Sequence, residues 1–306
     1  MRRRYGWGWL VLLVVAGLPG PSPANDIEPR RWGHLPIGGN FLSAGYAYTD
    51  ATIYLDPVLR IENVKMEMDS WAAKYIHSFN FLGKSSRIDL TQGYQEGRWD
   101  GIVDGAPRSI QRKGLSDSIV RFAMNLYGAP ALKGKDFVGY RRQVKRETIV
   151  GAGVVVQLPT GDYMEDKLIN LGSNRFALRP QLGVTHTRGQ WTGELTGEVY
   201  FYTANNEFFN GNKLEQSPLY TGQTHLIYTF RPGLWISGSL GYAYGGSSTL
   251  NGIAKDDRRN ATAWALNVGL PLAPHWGAKA SFLNSRAQDR IGQDTDTLAL
   301  GLAFSW

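Results

Sequence analysis

The sequence predicts an all-β chain: an antiparallel transmembrane β-barrel of about twelve strands. Three observations carry this. Apolar residues recur at every second position over segments of ~10 residues, the length a tilted membrane strand needs. The connections between those segments alternate short and long. The chain also opens on a secretory-type leader and closes on an aromatic residue that ends an alternating segment.

The leader comes first. Arg2, Arg3 and Arg4 form a positive region, Gly8 to Leu18 is apolar, and Ser22-Pro23-Ala24 supplies the small residues of a cleavage site. The apolar run is too short to span a bilayer. Residues 1–24 are therefore expected to be a cleaved signal peptide, leaving a mature chain from Asn25 that is exported through the periplasm to the bacterial outer membrane. Cleavage would remove three arginines and no acids, lowering the formal charge from +7 to +4. A basic balance can signal nucleic acid, but a secreted chain points instead to lipopolysaccharide phosphates. With no cysteine, disulfides, thiolate zinc sites and thiol catalysis are excluded. No second apolar run of ~20 residues exists, which excludes a helical membrane protein and leaves a barrel open.

Residues 25–38 are polar and contain proline, unlike a membrane strand. They are expected to touch the periplasmic mouth or to plug the lumen, and residues 39–306 to form the barrel as one domain. Weak alternation occurs near residues 40–49 and 71–81. Leading into the latter, Met66 and Met68 lie at even positions, and within it Trp71, Tyr75 and Phe79 lie at odd ones. That switch suggests a β-bulge near Asp69-Ser70 and leaves His77 facing lipid. Ile88, Leu90 and Tyr94 then alternate with Arg87, Asp89 and Thr91. Further weak segments lie near 117–127 and 148–158. Phe176 to Val184 alternates with Arg175, Arg179 and Gln181, and Trp191 to Phe201 alternates with Glu194 and Glu198. After a weak segment near 219–230, Leu234 to Tyr244 alternates with Trp235, Ser237 and Ser239, and Trp264 to Leu270 with Ala263, Ala265 and Asn267. Another weak segment lies near 275–285. The last segment is the clearest: Leu298, Leu300, Leu302, Phe304 and Trp306 on one face, Ala299, Gly301 and Ala303 on the other. Phe304 and Trp306 resemble the terminal signal that barrel assembly machinery reads.

Short turns are expected at Gly83–Ser86, Thr187–Gln190, Arg231–Gly233 and Pro271–His275 on the periplasmic side. Long loops near 50–63, 96–116, 159–173, 204–217, 246–259 and 286–294 face outward. Residues 128–147 break the rule, being long on the periplasmic side, and Pro130 to Arg142 could hold a short helix there.

Several strings occur in one order: Glu28-Pro-Arg-Arg-Trp-Gly-His-Leu-Pro-Ile-Gly38, Gly128-Ala-Pro-Ala-Leu132, Leu158-Pro-Thr-Gly-Asp-Tyr163, Asp166-Lys-Leu-Ile-Asn-Leu-Gly-Ser-Asn-Arg175, Tyr228-Thr-Phe-Arg-Pro-Gly-Leu-Trp235 and Asp294–Leu298. Together they resemble the "MetA-pathway of phenol degradation" family of outer-membrane proteins across nearly the whole mature chain. The resemblance implies a barrel associated with uptake of aromatic or other hydrophobic small molecules. It implies no set of binding residues.

Candidate chemistry is sparse. Gly83-Lys84-Ser85 lacks the earlier glycine of a phosphate-binding loop, since Ser78 stands there. Asp162, Glu165 and Asp166 match no defined calcium spacing, so neither metal nor cofactor is expected. A barrel lipase would need a Ser-His-acid or amide set, and no nucleophile motif accompanies His34, His77, His186, His225 or His275; the chain is not expected to be an enzyme. The lumen is more informative, because charges within a membrane barrel are tolerated facing inward. Arg87, Asp89, Arg121, Arg175, Arg179, Glu194 and Glu198 are expected on one arc. Small residues and Asn267 lie on the other, leaving room for a conduit or a plug. A turn at Arg188-Gly189 would set Arg179 opposite Glu198. The expected function is a channel for passive passage of small hydrophobic, amphiphilic or aromatic solutes. The alternative is a closed structural or surface-binding barrel without transport.

Overall fold

The structure, a computed structural model, describes residues 27–54, 61–103 and 105–306. The expected signal peptide and cleavage point lie outside the described residues. The strands, in chain order, are β1 (Asn40–Tyr54), β2 (Ile61–Phe81), β3 (Lys84–Val103), β4 (Ala106–Leu115), β5 (Ile119–Tyr127), β6 (Arg146–Gln157), β7 (Ala177–Arg188), β8 (Trp191–Tyr202), β9 (Asn205–Phe208), β10 (Asn212–Gln216), β11 (Leu219–Arg231), β12 (Leu234–Gly245), β13 (Ser248–Leu250), β14 (Ile253–Ala254), β15 (Arg259–Ala273), β16 (Trp276–Ala287) and β17 (Gly292–Ser305). Among the described residues a single helix, α1 (Gly134–Gln143), joins β5 to β6.

Twelve of these strands close into an antiparallel barrel: β1, β2, β3, β5, β6, β7, β8, β11, β12, β15, β16 and β17. The seam between β1 and β17 runs from Phe41↔Ser305 to Tyr54↔Gly292. Closure leaves no long free edge in the lipid, where an unpaired backbone group would be costly. β4 folds back on the outer half of β3, while β5 pairs with its inner half. β9, β10, β13 and β14 form a separate small sheet in the loops.

The alternating pattern places Leu182, Leu195, Leu240, Leu266 and Leu300 on the outer wall. Trp191, Tyr228, Phe230 and Trp276 ring the short-turn end, and Trp71, Tyr94, Tyr220 and Tyr242 ring the loop half. Two aromatic girdles flanking an apolar band are the signature of an outer-membrane barrel. Turn chemistry fits as well. Leu82 and Gly83 both have positive φ, at 51° and 75°, as a type I′ hairpin turn requires.

One expectation fails. No bulge interrupts β2 at Asp69-Ser70: its register with β1 is continuous from Asn40↔His77 to Ile53↔Val64. Even-numbered residues face inward throughout, from Val64 to Ser78. The strand leaves the membrane near its middle, and beyond that level the inside is the drier face. Met66 and Met68 therefore pack inward with Ala51, Val64 and Trp99, while Lys65 and Glu67 face water. His77 does lie on the outer face, near the short-turn rim, where its Nδ1 is 2.9 Å from Asn40 Oδ1.

Candidate functional site

The chain entering β1 does not hang below the barrel. Residues 27–36 lie inside it and bond to its wall, and residues 37–39 turn at the rim into β1. The backbone N–H of Glu28 donates to Gln223 Oε1 (3.1 Å) and that of Arg31 to Glu194 Oε1 (3.1 Å). The Glu28 carboxylate meets Lys74 Nζ at 3.0 Å, and Arg31 Nη1 meets Glu198 Oε1 at 3.1 Å. A buried charge persists only when paired, and this segment and the wall pair each other.

Trp32 is the anchor, 1% exposed. Its ring lies against Gly151 and Gly183, which face each other across β6 and β7. Its Nε1 donates to Thr196 Oγ1 (2.8 Å), and the Arg121 guanidinium sits 4.9 Å from its ring centre. On another arc Arg30 lies over Trp235 at 4.8 Å, and Ile27 fills the space above Gly241. On that arc Gly241 leaves room that Ile27 takes.

The long connection 128–145 explains itself here. His34 Nε2 lies 2.7 Å from the Pro130 carbonyl, and its ring meets Phe137 and Tyr140 of α1 edge-on at 4.8 and 5.3 Å. Burial lowers the His34 pKa despite the Pro130 bond and nearby Glu147. The ring is thus neutral near pH 7, donating through Nε2 to a carbonyl that can only accept. Glu147 receives the Tyr140 hydroxyl (2.9 Å) and Arg141 (2.5 Å). Burial and that carboxylate push the Tyr140 phenol up to about 12.

Arg87, Asp89, Arg121, Arg179, Glu194 and Glu198 are buried side chains of the barrel strands, and Arg179 and Glu198 do not stand opposite each other. Asp89 collects Arg87 (3.1 Å), Arg121 (3.4 Å) and Lys74 (3.7 Å). The register sets Gln181 opposite Glu198 and Thr185 opposite Glu194. Gln181 donates to Glu198 (2.8 Å), and Arg179 donates to the Tyr200 hydroxyl (2.7 Å). The reason is local: Gly189, φ 62°, is the first central residue of the turn. That is the glycine position of a type II′ turn, and it moves the register by two residues. Arg175 sits in the loop before β7, its guanidinium 4.5 Å from the Tyr202 ring centre. Asn267 braces the wall through Ser237 (3.2 Å) and Ser281 (2.8 Å).

Sequence reading missed one constellation. His225 Nδ1 is 2.8 Å from Ser239 Oγ and its Nε2 is 3.0 Å from Gln223 Oε1. The residues meet across β11 and β12, so no local motif could reveal them. The Gln223 oxygen also accepts from Glu28, and none of the three lines the chamber described next. The trio therefore reads as bracing for the inserted segment rather than as a hydrolase.

Above the inserted segment a chamber of about 410 Å³ remains. Glu28 and Arg31 form part of its lining toward the inserted segment. Met68 and Trp99 line one arc, and Tyr200 and Tyr202 another. The loops after β6 and β8 contribute Tyr163, Leu171 and Phe208. Ligand pockets commonly span ~300–1,000 Å³.

Residues 56–300 match the family described as "Putative MetA-pathway of phenol degradation". No curated protein matches the chain. Among solved structures the chain is similar to an outer membrane channel from Pseudomonas putida F1, at 19% identity over 92% of this chain and 100% of that one, with a TM-score of 0.74. It is also similar to the transport unit of the autotransporter AIDA-I from Escherichia coli, at 7% identity over 88% of this chain and 90% of that one, TM-score 0.50.

Proposed function

Since the chain belongs to the MetA-pathway of phenol degradation family, we propose that it is an outer-membrane channel for small hydrophobic, amphiphilic or aromatic molecules, held shut on the periplasmic side by residues 27–39. One observation carries this: a chamber of about 410 Å³, walled by aromatic and aliphatic side chains interspersed with charged and amide groups, ends on a segment bonded to the barrel but continuous with it only at β1. Such a segment can leave without breaking the barrel. No step needs a cofactor, and the role assigns no catalysis. The Pseudomonas putida relative is itself described as a channel. Uptake of phenol and benzyl alcohol by liposomes carrying the full mature chain tests the reading. Uptake above that of empty liposomes is expected, and none would overturn it.

A second reading is favoured by the same buried ion pairs: a closed barrel that stiffens the membrane or presents its loops. Exposed Lys65, Arg98 and Arg108, beyond the apolar band, would then meet lipopolysaccharide phosphates. Solute flux separates the two.

The terminal aromatics are proposed to serve assembly. Phe304 packs on Trp276 (4.9 Å) and Trp306 (5.6 Å), and Trp306 exchanges both backbone hydrogen bonds with Asn40 at 3.0 Å. Deleting Trp306 should sharply reduce barrel inserted in cells, whereas Trp306→Phe should retain it. Equal insertion of the deletion variant would remove this role.

A further inference from the structure

The lipid-facing wall changes character at its short-turn end. On β6 and β7 the outward rungs Ala152↔Leu182 and Val150↔Val184 are apolar, as acyl chains require. The next outward rung is Thr148↔His186, joined by a hydrogen bond between Thr148 Oγ1 and His186 Nδ1 at 2.8 Å. The last is Arg146↔Arg188, with both residues exposed.

Two arginines thus stand directly opposite each other on neighbouring strands, an arrangement that like-charge repulsion disfavours. Neither guanidinium meets an acid among the described residues. Glu147, next along the chain, faces inward, is 7% exposed and accepts from Tyr140 and Arg141 instead. The surroundings add charge of the same sign. The connection 128–145 carries Lys133, Lys135, Arg141, Arg142 and Lys145 against Asp136 alone. It is tied to the turn after Arg188, because the Lys145 carbonyl accepts the Gly189 N–H (2.8 Å). On the other flank stands Trp191, the register partner of Arg188 on β8 and 52% exposed. Its ring meets Tyr228 edge-on at 4.8 Å, and the Tyr228 hydroxyl donates to Gln190 (2.7 Å). Such rings mark the membrane–water boundary, so the arginine pair sits at headgroup level.

We propose that Arg146 and Arg188 hold the phosphate of an anionic phospholipid of the periplasmic leaflet, whose glycerol and upper acyl chains lie on Trp191 and Tyr228. Two guanidinium forks present parallel N–H donors to phosphate oxygens, and the negative charge between them relieves their repulsion. A zwitterionic lipid brings the same phosphate with an ammonium group, which the surrounding lysines and arginines repel. The site needs a barrel in the outer membrane but no route for solutes, so it stands apart from the channel reading.

The test is native mass spectrometry of the folded full-length mature protein in neutral detergent. Phosphatidylglycerol and phosphatidylethanolamine with identical acyl chains are supplied together. Phosphatidylglycerol should be retained at least ~10-fold more than its competitor. The double variant Arg146→Gln, Arg188→Gln should lose most of that ~10-fold preference. Arg188→Gln alone serves if the double variant does not fold. Arg231→Gln, which removes an exposed cation at another short turn, should leave the preference in place. Inorganic phosphate should not displace the lipid, because it has no acyl chain to lie on Trp191. Equal retention of the two lipids, or a full preference surviving in the folded arginine variants, would overturn the assignment. Displacement by inorganic phosphate would overturn it too, making the pair a site for free anions. So would loss of the preference in Arg231→Gln, since the whole rim rather than the pair would then attract the lipid.

Discussion

Mature protein lacking residues 27–36 should form a folded barrel that conducts on the order of tenfold more current in planar bilayers than the intact chain. The estimate rests on size. Eight-stranded barrels are filled by their own side chains and sixteen-stranded porins hold an aqueous channel, so a twelve-stranded wall lies between. Its interior is narrow but passable once Trp32, Arg31 and Leu35, each nearly fully buried, are gone. The strands themselves do not depend on the segment, because their backbone bonds are made with one another. Removal would leave Glu194, Glu198 and Lys74 without their partners from the segment. Water entering the lumen then solvates charges that would be costly in a dry interior. Ile37 and Gly38 are retained because their N–H groups donate to Leu132 and Ser78 carbonyls at 2.9 and 2.7 Å and fix the start of β1. A folded deletion variant with unchanged single-channel conductance would show that the segment is not the barrier.

The barrel was legible in the sequence because lipid enforces it. Each residue facing the acyl chains must be apolar and its neighbour need not be, so Leu298, Leu300 and Leu302 announce a strand without help from any partner. The same rule misleads where lipid ends. Met66 and Met68 point inward above the membrane, and the apparent slip at Asp69-Ser70 records a change of surroundings rather than of backbone. Turn type is a finer matter. Arg188-Gly189-Gln190 permits glycine at either central position, and choosing wrongly moves every cross-strand pair on β7 and β8 by two residues while leaving their inward parity intact. That is why Arg179 and Glu198 both face the lumen and yet are not cross-strand partners. The chamber was less legible still. Its aromatic wall and the Ser239–His225–Gln223 trio arise from residues on different strands and loops, joined by strand register and by loops that fold over the mouth. The polar segment before β1 was visible as something other than a strand. Only its pairing with Lys74, Glu194 and Glu198 places it in the lumen.

Gly183→Ala should unseat the inserted segment while leaving the wall intact. A Cβ at Gly183 would stand 1.9 Å from Trp32 Nε1, and one at Gly151 would stand 2.1 Å from Trp32 Cε3. An indole held on one side by two facing strands and bonded to Thr196 cannot turn aside as a flexible chain end could. Elsewhere in a strand the same change is mildly favourable, since glycine is a weak strand former, so any loss falls on the Trp32 seat. Forfeiting the contacts of a buried tryptophan costs ~3–5 kcal/mol, enough to shift occupancy of the seat by about two to four orders of magnitude. Trypsin reports the result, because Arg31 is buried and half-buried Arg30 is held against Trp235 while the segment is seated. Gly183→Ala should bring rapid cleavage after Arg30 or Arg31 together with raised conductance in folded barrels. Gly151→Ala should do the same, and the double variant little more than either, because both methyl groups contest one ring. Adding Trp32→Ala to Gly183→Ala should likewise change nothing further. Wild-type protease resistance and conductance in Gly183→Ala would mean that Trp32 does not hold the segment in place, and the barrier would have to be sought in the loops.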